Sequence, residues 1–234
     1  MARLVATLLA EIPRDAPCLE IGVGTGRIAL PLYREQVPMV GVDISVEMLR
    51  RLVLNAGGTP PPIAVADATR LPFRDGTFAS AIASHVFHLI GDWTGAIDEL
   101  ARVIRPSGTV FASRGRRADS GWAFQVSRRF FVEVGDPPWP PGASTIEEVD
   151  DHMRARGAAV RELVELSQDR SDTINGLLAN LEAGYWSACW SIDGAERVRA
   201  AASVREWAEE AIGDLDEDRP SVESSVWRAY SLPG

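Results

Sequence analysis

Three glycines at every second position follow a short apolar run near the start of the chain. The run begins at Cys18, and the glycines are Gly22, Gly24 and Gly26. Because glycine has no Cβ, the main chain there can approach a nucleoside-like ligand closely. A helix starting directly afterwards presents free backbone N–H groups to polar or anionic ligand atoms. The pattern therefore predicts a buried strand, a turn whose backbone faces a ligand, and a helix.

The spacing of these glycines separates two kinds of nucleotide site. Dinucleotide-binding proteins carry G-x-G-x-x-G, and the third glycine of that motif falls where this chain has Arg27. A carboxylate also opens the turn at Glu20, where it would repel a pyrophosphate. A nicotinamide enzyme and an enzyme that uses a nucleoside sulfonium both remain possible at this point, and the glycine register favours the second.

A second apolar run, Met39 to Asp43, ends in an acid and leads into a helix start at Ser45. It predicts the second strand of a βαβ unit. An acid at the carboxyl end of that strand accepts hydrogen bonds from ribose hydroxyls in nucleoside-binding doubly wound sheets. Asp43 is therefore a candidate ribose ligand, with a simple strand-end cap as the alternative.

Further segments follow in order along the chain. Ile63 to Asp67 predicts a third strand, Ala79 to Ser84 predicts a fourth that runs into His85, and Asp92 predicts a helix start. Together with the glycine turn, over about residues 17 to 114, these segments resemble the class I S-adenosylmethionine-dependent methyltransferases of the bacterial small-molecule type. One motif alone is weak evidence, whereas several in the expected order are strong evidence.

That resemblance implies S-adenosylmethionine as cofactor, with S-adenosylhomocysteine as its product. The floor under the methionine part of the cofactor would consist of Glu20, Gly22, Gly24 and Gly26. Asp43 would hold the ribose hydroxyls, and the Ser84 carbonyl and His85 would line the methionine end. The implied fold is α/β: a doubly wound, seven-stranded, mostly parallel sheet of Rossmann-like type with a helical lid insertion.

The resemblance also implies an adenine site. Asp67 would accept a hydrogen bond from the adenine amino group, and the backbone N–H of Ala68 would lie at the ring. Ile44 and Met48 would sandwich the base. For Asp67 the alternative is a turn-forming role, because an aspartate side chain often bonds to its own backbone two residues on.

Catalysis places few demands on such a site. A sulfonium is an excellent leaving group, so the protein mainly aligns the reactants and excludes water. A general base is needed only when the nucleophile must lose a proton. The chain has three histidines, His85, His88 and His152. His85 follows the fourth strand at the ligand-binding edge of the sheet and is the candidate catalytic residue, with pocket lining or helix capping as the alternative. No metal site is predicted.

The second half of the chain completes the predicted sheet. Thr109 to Ser113 predicts the fifth strand and Ala158 to Leu166 the sixth. Ser225 to Leu232 would be the seventh, which the resemblance places antiparallel to its neighbours. The motif Ser144-x-x-Glu147 predicts a capping box at the start of a helix that ends near Gly157.

The remaining segments predict a cover for the substrate. We expect one methyltransferase domain over residues 1–234, with a cofactor-binding core at 17–114 and substrate-covering insertions at 115–145 and 167–223. Two amphipathic helices are predicted within the second insertion, over Thr173 to Trp190 and over Ala195 to Ile212.

Two groups of residues suggest what the acceptor is. Arg114, Arg116 and Arg117 follow the fifth strand and would receive a carboxylate or phosphate of the substrate, unless they form a solvated basic edge. The second group is a set of aromatic residues, which favours an apolar or aromatic acceptor. Ordinary packing explains each of these residues equally well. The set consists of Trp122, Phe124, Phe130, Phe131, Trp139, Tyr185, Trp186 and Trp190.

The composition limits the classes of partner that the chain is expected to bind. The 234 residues carry a net charge of −9, so nucleic acid is an unfavourable substrate. No apolar stretch reaches the roughly 18 residues that a membrane span needs. The first ten residues resemble a signal peptide faintly, but cleavage there would cut into the core. We therefore expect a reduced, cytoplasmic protein that acts on a small-molecule methyl acceptor, without a nucleic-acid or membrane partner; its oligomeric state is left open.

Relatives in the family usually carry some tens of residues before the first strand, where this chain has Met1 to Pro17. We expect that part of the cap is missing or that the start codon is misassigned. Three hypotheses remain: a methyltransferase, a nicotinamide-dependent oxidoreductase, and a protein that binds S-adenosylmethionine without turnover. The ordered motifs favour the first.

Overall fold

The computed structural model describes residues 1–116, 121–137 and 140–234. It divides into two compact units. Unit 1 comprises Met1–Gly115, Gly142–Leu166 and Ser225–Gly234, and unit 2 comprises Arg116–Pro141 and Ser167–Ser224. Arg117 and Trp139, both considered above as substrate contacts, lie outside the described residues.

Strands and helices alternate through the first half of the chain, as expected for an α/β fold. The strands are β1 (Cys18–Ile21), β2 (Met39–Asp43), β3 (Ile63–Val65), β4 (Phe78–Ser84), β5 (Ile104–Arg116), β6 (Ala159–Asp172) and β7 (Arg219–Ser231). The helices are α1 (Ala2–Glu11), α2 (Ala29–Arg34), α3 (Val46–Asn55), α4 (Trp93–Val103), α5 (Trp122–Glu133), α6 (Ile146–Ala155), α7 (Ile174–Glu182) and α8 (Gly194–Ala211).

The strands form one seven-stranded sheet in the order β3-β2-β1-β4-β5-β7-β6. β1 pairs in parallel with both β2 and β4, and β2–β3 and β4–β5 are parallel as well. The backbone N–H of Leu232 donates to the Gly108 carbonyl, and that of Ser107 donates to the Pro233 carbonyl. The end of β7 therefore meets the beginning of β5, so these two strands run in opposite directions. The predicted fold class is confirmed.

Alternation along each central strand builds a core on both faces of the sheet. Leu19 and Ile21 of β1 belong to one buried cluster and Cys18 to another. Ile82 of β4 belongs to the same cluster as Cys18, whereas its neighbour Ala81 belongs to the first. Successive side chains of a strand point to opposite faces, and parallel sheets bury both faces under helices. This explains why β1 is apolar at nearly every position.

Unit 2 has a hydrophobic core of its own. Helices α5, α7 and α8 supply it, with Phe130, Leu178 and Val204 among the fully buried residues. Most of the aromatic residues of α5 are therefore packing residues. The loop after α7 differs, because Tyr185 and Trp190 are 72% and 59% exposed. Among the described residues, no helix is both long and apolar enough to cross a membrane.

Several predicted boundaries were wrong in detail. The cap of α6 is Thr145, whose hydroxyl accepts from the backbone N–H of Glu148, so the predicted capping box is one residue too early. The helix predicted over Thr173 to Trp190 ends at Glu182, because Gly184 adopts a left-handed φ of 69°. Strand β3 ends at Val65, two residues before Asp67.

Candidate functional site

Three neighbouring parallel strands bring the predicted site residues to one edge of the sheet. In the β1–β2 and β1–β4 registers, Ile21 lies opposite Val42 and Ala83. The chain that leaves β1, β2 and β4 therefore emerges side by side. Ligands bind at this carboxyl edge in open α/β folds, and the glycine turn, Asp43 and His85 all lie on it.

All three glycines of the turn have a left-handed backbone. Gly22, Gly24 and Gly26 have φ values of 61°, 54° and 83°. A Cβ on Gly22 would collide with the Val86 side chain, whereas a Cβ on Gly24 would meet nothing closer than the Gly22 carbonyl oxygen at 3.9 Å. The backbone of Gly24 therefore borders open space, which is where a close ligand approach requires a glycine.

Asp43 fastens the turn to the end of β2. One of its carboxylate oxygens accepts from the backbone N–H of Gly24 at 2.8 Å, and the other accepts from that of Ser45, also at 2.8 Å. The Ser45 hydroxyl then accepts from the Met48 N–H and caps α3. The two backbone N–H groups thus fix a half-buried carboxylate beside the glycine turn. Each of its oxygens keeps lone pairs that can accept from further donors.

Glu20 differs from an ordinary acid because it is 2% exposed. The backbone N–H of Ala29 bonds to its carboxyl group, while one oxygen, Oε2, has no partner among the described residues. Burial raises the pKa of this carboxyl to about 8, against the lowering effect of that bond and of the Arg27 charge. Glu20 is therefore mostly protonated at neutral pH in the free chain, so the charge repulsion of a pyrophosphate that the sequence led us to expect does not apply.

The residues predicted for adenine lie along the ends of β2 and β3. Ile44 is 72% exposed, which is unusual for an isoleucine beside a sheet. One oxygen of Asp67 accepts from both the backbone N–H and the hydroxyl of Thr69, which is the turn-forming role weighed above. Asp67 itself is exposed, and its second oxygen is left for another donor. Ala68 and Met48 are half-buried next to these positions.

The end of β4 carries a strained histidine. His85 has a φ of 52°, in the left-handed region that non-glycine residues rarely adopt. Its backbone N–H donates to the Ser113 carbonyl of β5 at 3.0 Å, and the hydroxyls of Ser84 and Ser113 lie 3.1 Å apart. Strain of this kind concentrates at functional sites.

Burial and two guanidinium groups keep His85 neutral. Desolvation, together with the charges of Arg27 and Arg114, lowers its pKa to about 4. Burial and Arg114 do the same for His88, whose pKa is also about 4. His152 is apart from this group, since it lies on α6 beside Trp93 and Arg156.

The sequence interpretation overlooked two contributors to this edge. Ser113 holds both Ser84 and the His85 backbone in place. Arg27 was noted only as a departure from the dinucleotide motif, yet its guanidinium reaches Ser84 at 3.4 Å. Its position directly after the third glycine was the available signal, because the first residues of that helix must lie near the ligand edge.

Comparison with known proteins agrees with this architecture. Residues 19–112 match the family model described as a methyltransferase domain. Phosphatidylethanolamine N-methyltransferase of Cereibacter sphaeroides is 36% identical over 112 residues, which is 46% of this chain and 55% of that protein. Demethylmenaquinone methyltransferase of Thermus thermophilus is 37% identical over 137 residues, or 56% of this chain and 61% of that protein. The chain thus spans about half the length of the curated relatives it matches.

Solved structures match over the whole chain at low sequence identity. The YcgJ protein of Bacillus subtilis superposes with a TM-score of 0.69 at 15% identity and full coverage of both chains. Phosphoethanolamine N-methyltransferase 2 of Haemonchus contortus, solved with S-adenosyl-L-methionine, gives a TM-score of 0.57 at 17% identity, covering 100% of this chain and 53% of that one. The fold is that of the class I methyltransferases. Residues 19–112 thus match a methyltransferase domain, in agreement with the resemblance that the sequence motifs carry.

Proposed function

We propose that this chain binds S-adenosylmethionine at the carboxyl edge of β1, β2 and β4 and transfers its methyl group to a small molecule. The observation that carries the proposal is the Asp43 carboxylate, held by two backbone N–H groups directly beside the open face of Gly24. A carboxylate in that position suits the two hydroxyls of a ribose, since charge-assisted hydrogen bonds are the strong ones.

The other residues take roles along the same edge. Ile44 and Met48 would hold adenine between them, and the free oxygen of Asp67 would accept from its amino group, with the Ala68 N–H at the ring. Gly22, Gly24 and Gly26 would let the main chain pass under the amino-acid end of the cofactor. An exposed Ile44 has a physical reason in this arrangement, because the base would cover its side chain.

The cofactor supplies an activated methyl group on a sulfonium. The chain's own task is to orient the acceptor, exclude water and, for an acceptor that must lose a proton, hold a base nearby. We assign that task to His85, whose neutral imidazole can accept a proton, although burial and two guanidinium groups make it a weak base. With a pKa of about 4, it stays neutral above pH 5. Ser84 and Glu20 would lie next to His85, along the methionine part of the cofactor.

The acceptor is a small molecule in this proposal, and its class is left to experiment. The two relatives named above carry names that refer to a phospholipid headgroup and to a quinone precursor, which are chemically unlike. That residues 115–145 and 167–223 cover the acceptor stays a prediction from the sequence. A screen of metabolite fractions with methyl-labelled cofactor would identify the acceptor.

Asp43→Asn tests the cofactor site. The amide keeps the size of the side chain but loses its charge, so we expect the dissociation constant for S-adenosylhomocysteine to rise roughly 10- to 100-fold, or about 1.5 to 3 kcal/mol. Isothermal titration measures it. Asp193→Asn is the matched control, because Asp193 also accepts two backbone N–H bonds, at the start of α8. An unchanged constant for Asp43→Asn would exclude the ribose role.

His85→Ala tests the catalytic role separately. Loss of a general base lowers turnover by about 10²- to 10⁴-fold, while affinity for S-adenosylhomocysteine should stay within about threefold of the parent. The assay follows transfer of labelled methyl groups to the acceptor found by the screen. Full turnover by the variant would assign His85 to pocket lining instead.

A further inference from the structure

The chain between β3 and β4 carries two of the residues proposed for adenine. Residues 66–77, all of which the structure describes, form turns and bends and contain neither a helix nor a strand. At the start of this segment, the Ala66 N–H donates to the Asp43 carbonyl at 3.1 Å, which joins the segment to the end of β2. Asp67 and Ala68 follow directly, so their positions also depend on what holds the rest of the segment.

Arg102, in the last turn of α4, holds that remaining part. Its guanidinium donates to the carbonyls of Leu71 and Phe73 at 3.0 and 2.8 Å. It also donates to the Asp75 carboxylate at 2.8 Å, and two further bonds of 2.8 Å go to the Glu99 carboxylate. A guanidinium has five N–H donors, and these five bonds use all of them.

Glu99 holds the segment from the same helix. One of its oxygens, Oε2, accepts from the backbone N–H of Leu71 at 2.7 Å. The hydrogen bonds from Arg102 keep the pKa of Glu99 below its usual range, so this carboxylate stays charged at neutral pH. Helix α4 itself is anchored by buried residues, among them Ile97 and Leu100. The Arg102–Glu99 pair therefore joins a packed helix to the segment that follows Ala68.

We propose that Arg102 and Glu99 are positioning residues that set the preference of this site for adenine. They act through the segment that presents the second oxygen of Asp67 and the Ala68 N–H. This inference rests on the proposed function, because that function assigns adenine to these two groups. The fork of an arginine is needed, since a Lys ammonium has three donors and cannot bond to two carbonyls and two carboxylates at once.

Arg102→Lys tests the inference, with Arg205→Lys as the matched control. Arg205, in unit 2, also forms a two-bond pair with a glutamate, Glu182. Its side chain is 30% exposed, against 33% for Arg102. Each protein is titrated with S-adenosylhomocysteine and with S-inosylhomocysteine, whose base carries a carbonyl oxygen in place of the amino group. Circular dichroism at the titration temperature shows which variants are folded.

The parent should bind S-adenosylhomocysteine roughly tenfold or more tightly than the inosine analogue, because a site that bonds a polar group rejects an analogue without it. Arg102→Lys should lower this ratio by about threefold or more, because it weakens the bonds to the adenine edge. Arg205→Lys should keep the parent's ratio. Glu99→Gln is a milder change that should lower the ratio as well, and it replaces Arg102→Lys if that variant does not fold.

Two results would overturn the inference. One is a folded Arg102→Lys or Glu99→Gln variant that keeps the parent's ratio, since a purely structural role weakens both ligands equally. The other is a parent that binds both ligands equally well, because the segment then does not distinguish the base. A parent that binds neither ligand would instead remove the proposed function itself, and the inference with it, so the failures are distinguishable.

Discussion

At the scale of single residues, Glu20 links the site to the stability of the fold. Burial raises the pKa of its carboxyl to about 8, whereas an unfolded glutamate titrates near 4.5. Between these values the folded chain holds a proton that the unfolded chain has lost. The contribution of Glu20 to stability is therefore fully present below pH 4.5 and is lost as the pH rises through 8.

Glu20→Gln removes this titration. We expect the variant to gain stability relative to the parent as the pH rises from 5 to 8, by at most about 1.4 kcal/mol per pH unit for one proton. Urea unfolding at several pH values, followed by tryptophan fluorescence, measures the difference. Glu47→Gln, on the exposed side of α3, is the control. Parallel curves for Glu20→Gln and the parent would contradict the assignment of a proton to Glu20.

His85 offers a second test at this scale. Its φ of 52° is strained for any residue with a Cβ. His85→Gly should therefore be more stable than His85→Ala by about 1 kcal/mol, because alanine keeps the strain and glycine relieves it. Chemical denaturation of the two variants measures the gap. Equal stability would mean that His85 leaves the left-handed region in solution.

At the scale of elements, one arginine of α8 organises the loop that follows α7. The guanidinium of Arg197 donates to the carbonyls of Glu182, Cys189 and Ile192 at 2.9, 3.3 and 2.6 Å. Glu182 is the last residue of α7, and Cys189 and Ile192 belong to the segment that follows it, which contains a short 3-10 helix at Ser187–Cys189 and the largely exposed Trp190. The indole N–H of Trp190 donates to the Gly184 carbonyl at 3.2 Å, so this exposed side chain is bonded to the backbone of the same segment.

Arg197→Ala should destabilise unit 2 by about 1 to 3 kcal/mol, because three partly buried carbonyls lose a charged donor. Arg199→Ala is the control, since Arg199 lies on the same helix and is exposed. Urea unfolding of both variants gives the comparison. If the two variants lose equal stability, the carbonyl contacts of Arg197 contribute nothing beyond helix propensity.

The elements also show where sequence reasoning succeeds. β2 and the start of α3 were predicted at their observed residues, because an apolar run ends in Asp43 and a serine cap follows. The cap of α6 was misplaced because Ser144 and Thr145 are both good caps with a glutamate three residues on, and tertiary packing selects between them. The hydrogen-bond partners of Asp43 could not be predicted, because they depend on which strands pair. The direction of the Arg27 side chain could not be predicted either, because no local sequence pattern encodes the direction of a long side chain.

At the scale of the whole molecule, each compact unit holds one buried free cysteine, Cys18 in unit 1 and Cys189 in unit 2. Burial raises the pKa of the Cys18 thiol to about 12, so it reacts with a thiol reagent only after unit 1 opens. Cys18 thus reports on the unit that contains the proposed cofactor site.

S-adenosylhomocysteine should slow the labelling of Cys18 in a Cys189→Ser variant. A ligand at 100 times its dissociation constant stabilises the bound state by about 2.7 kcal/mol, or up to roughly 100-fold in the opening equilibrium. A free thiol such as N-acetylcysteine, labelled with and without the nucleoside, controls for effects on the reagent. A labelling rate that does not respond to S-adenosylhomocysteine would place the ligand elsewhere or nowhere.

Isothermal titration of the whole chain with S-adenosylhomocysteine, and in parallel with NADH, tests the central claim most directly. The glycine spacing and the anchored Asp43 together predict one site for S-adenosylhomocysteine and no binding of NADH. Binding of NADH without S-adenosylhomocysteine, or no binding of either, would contradict the claim that this edge of the sheet is a methyltransferase cofactor site.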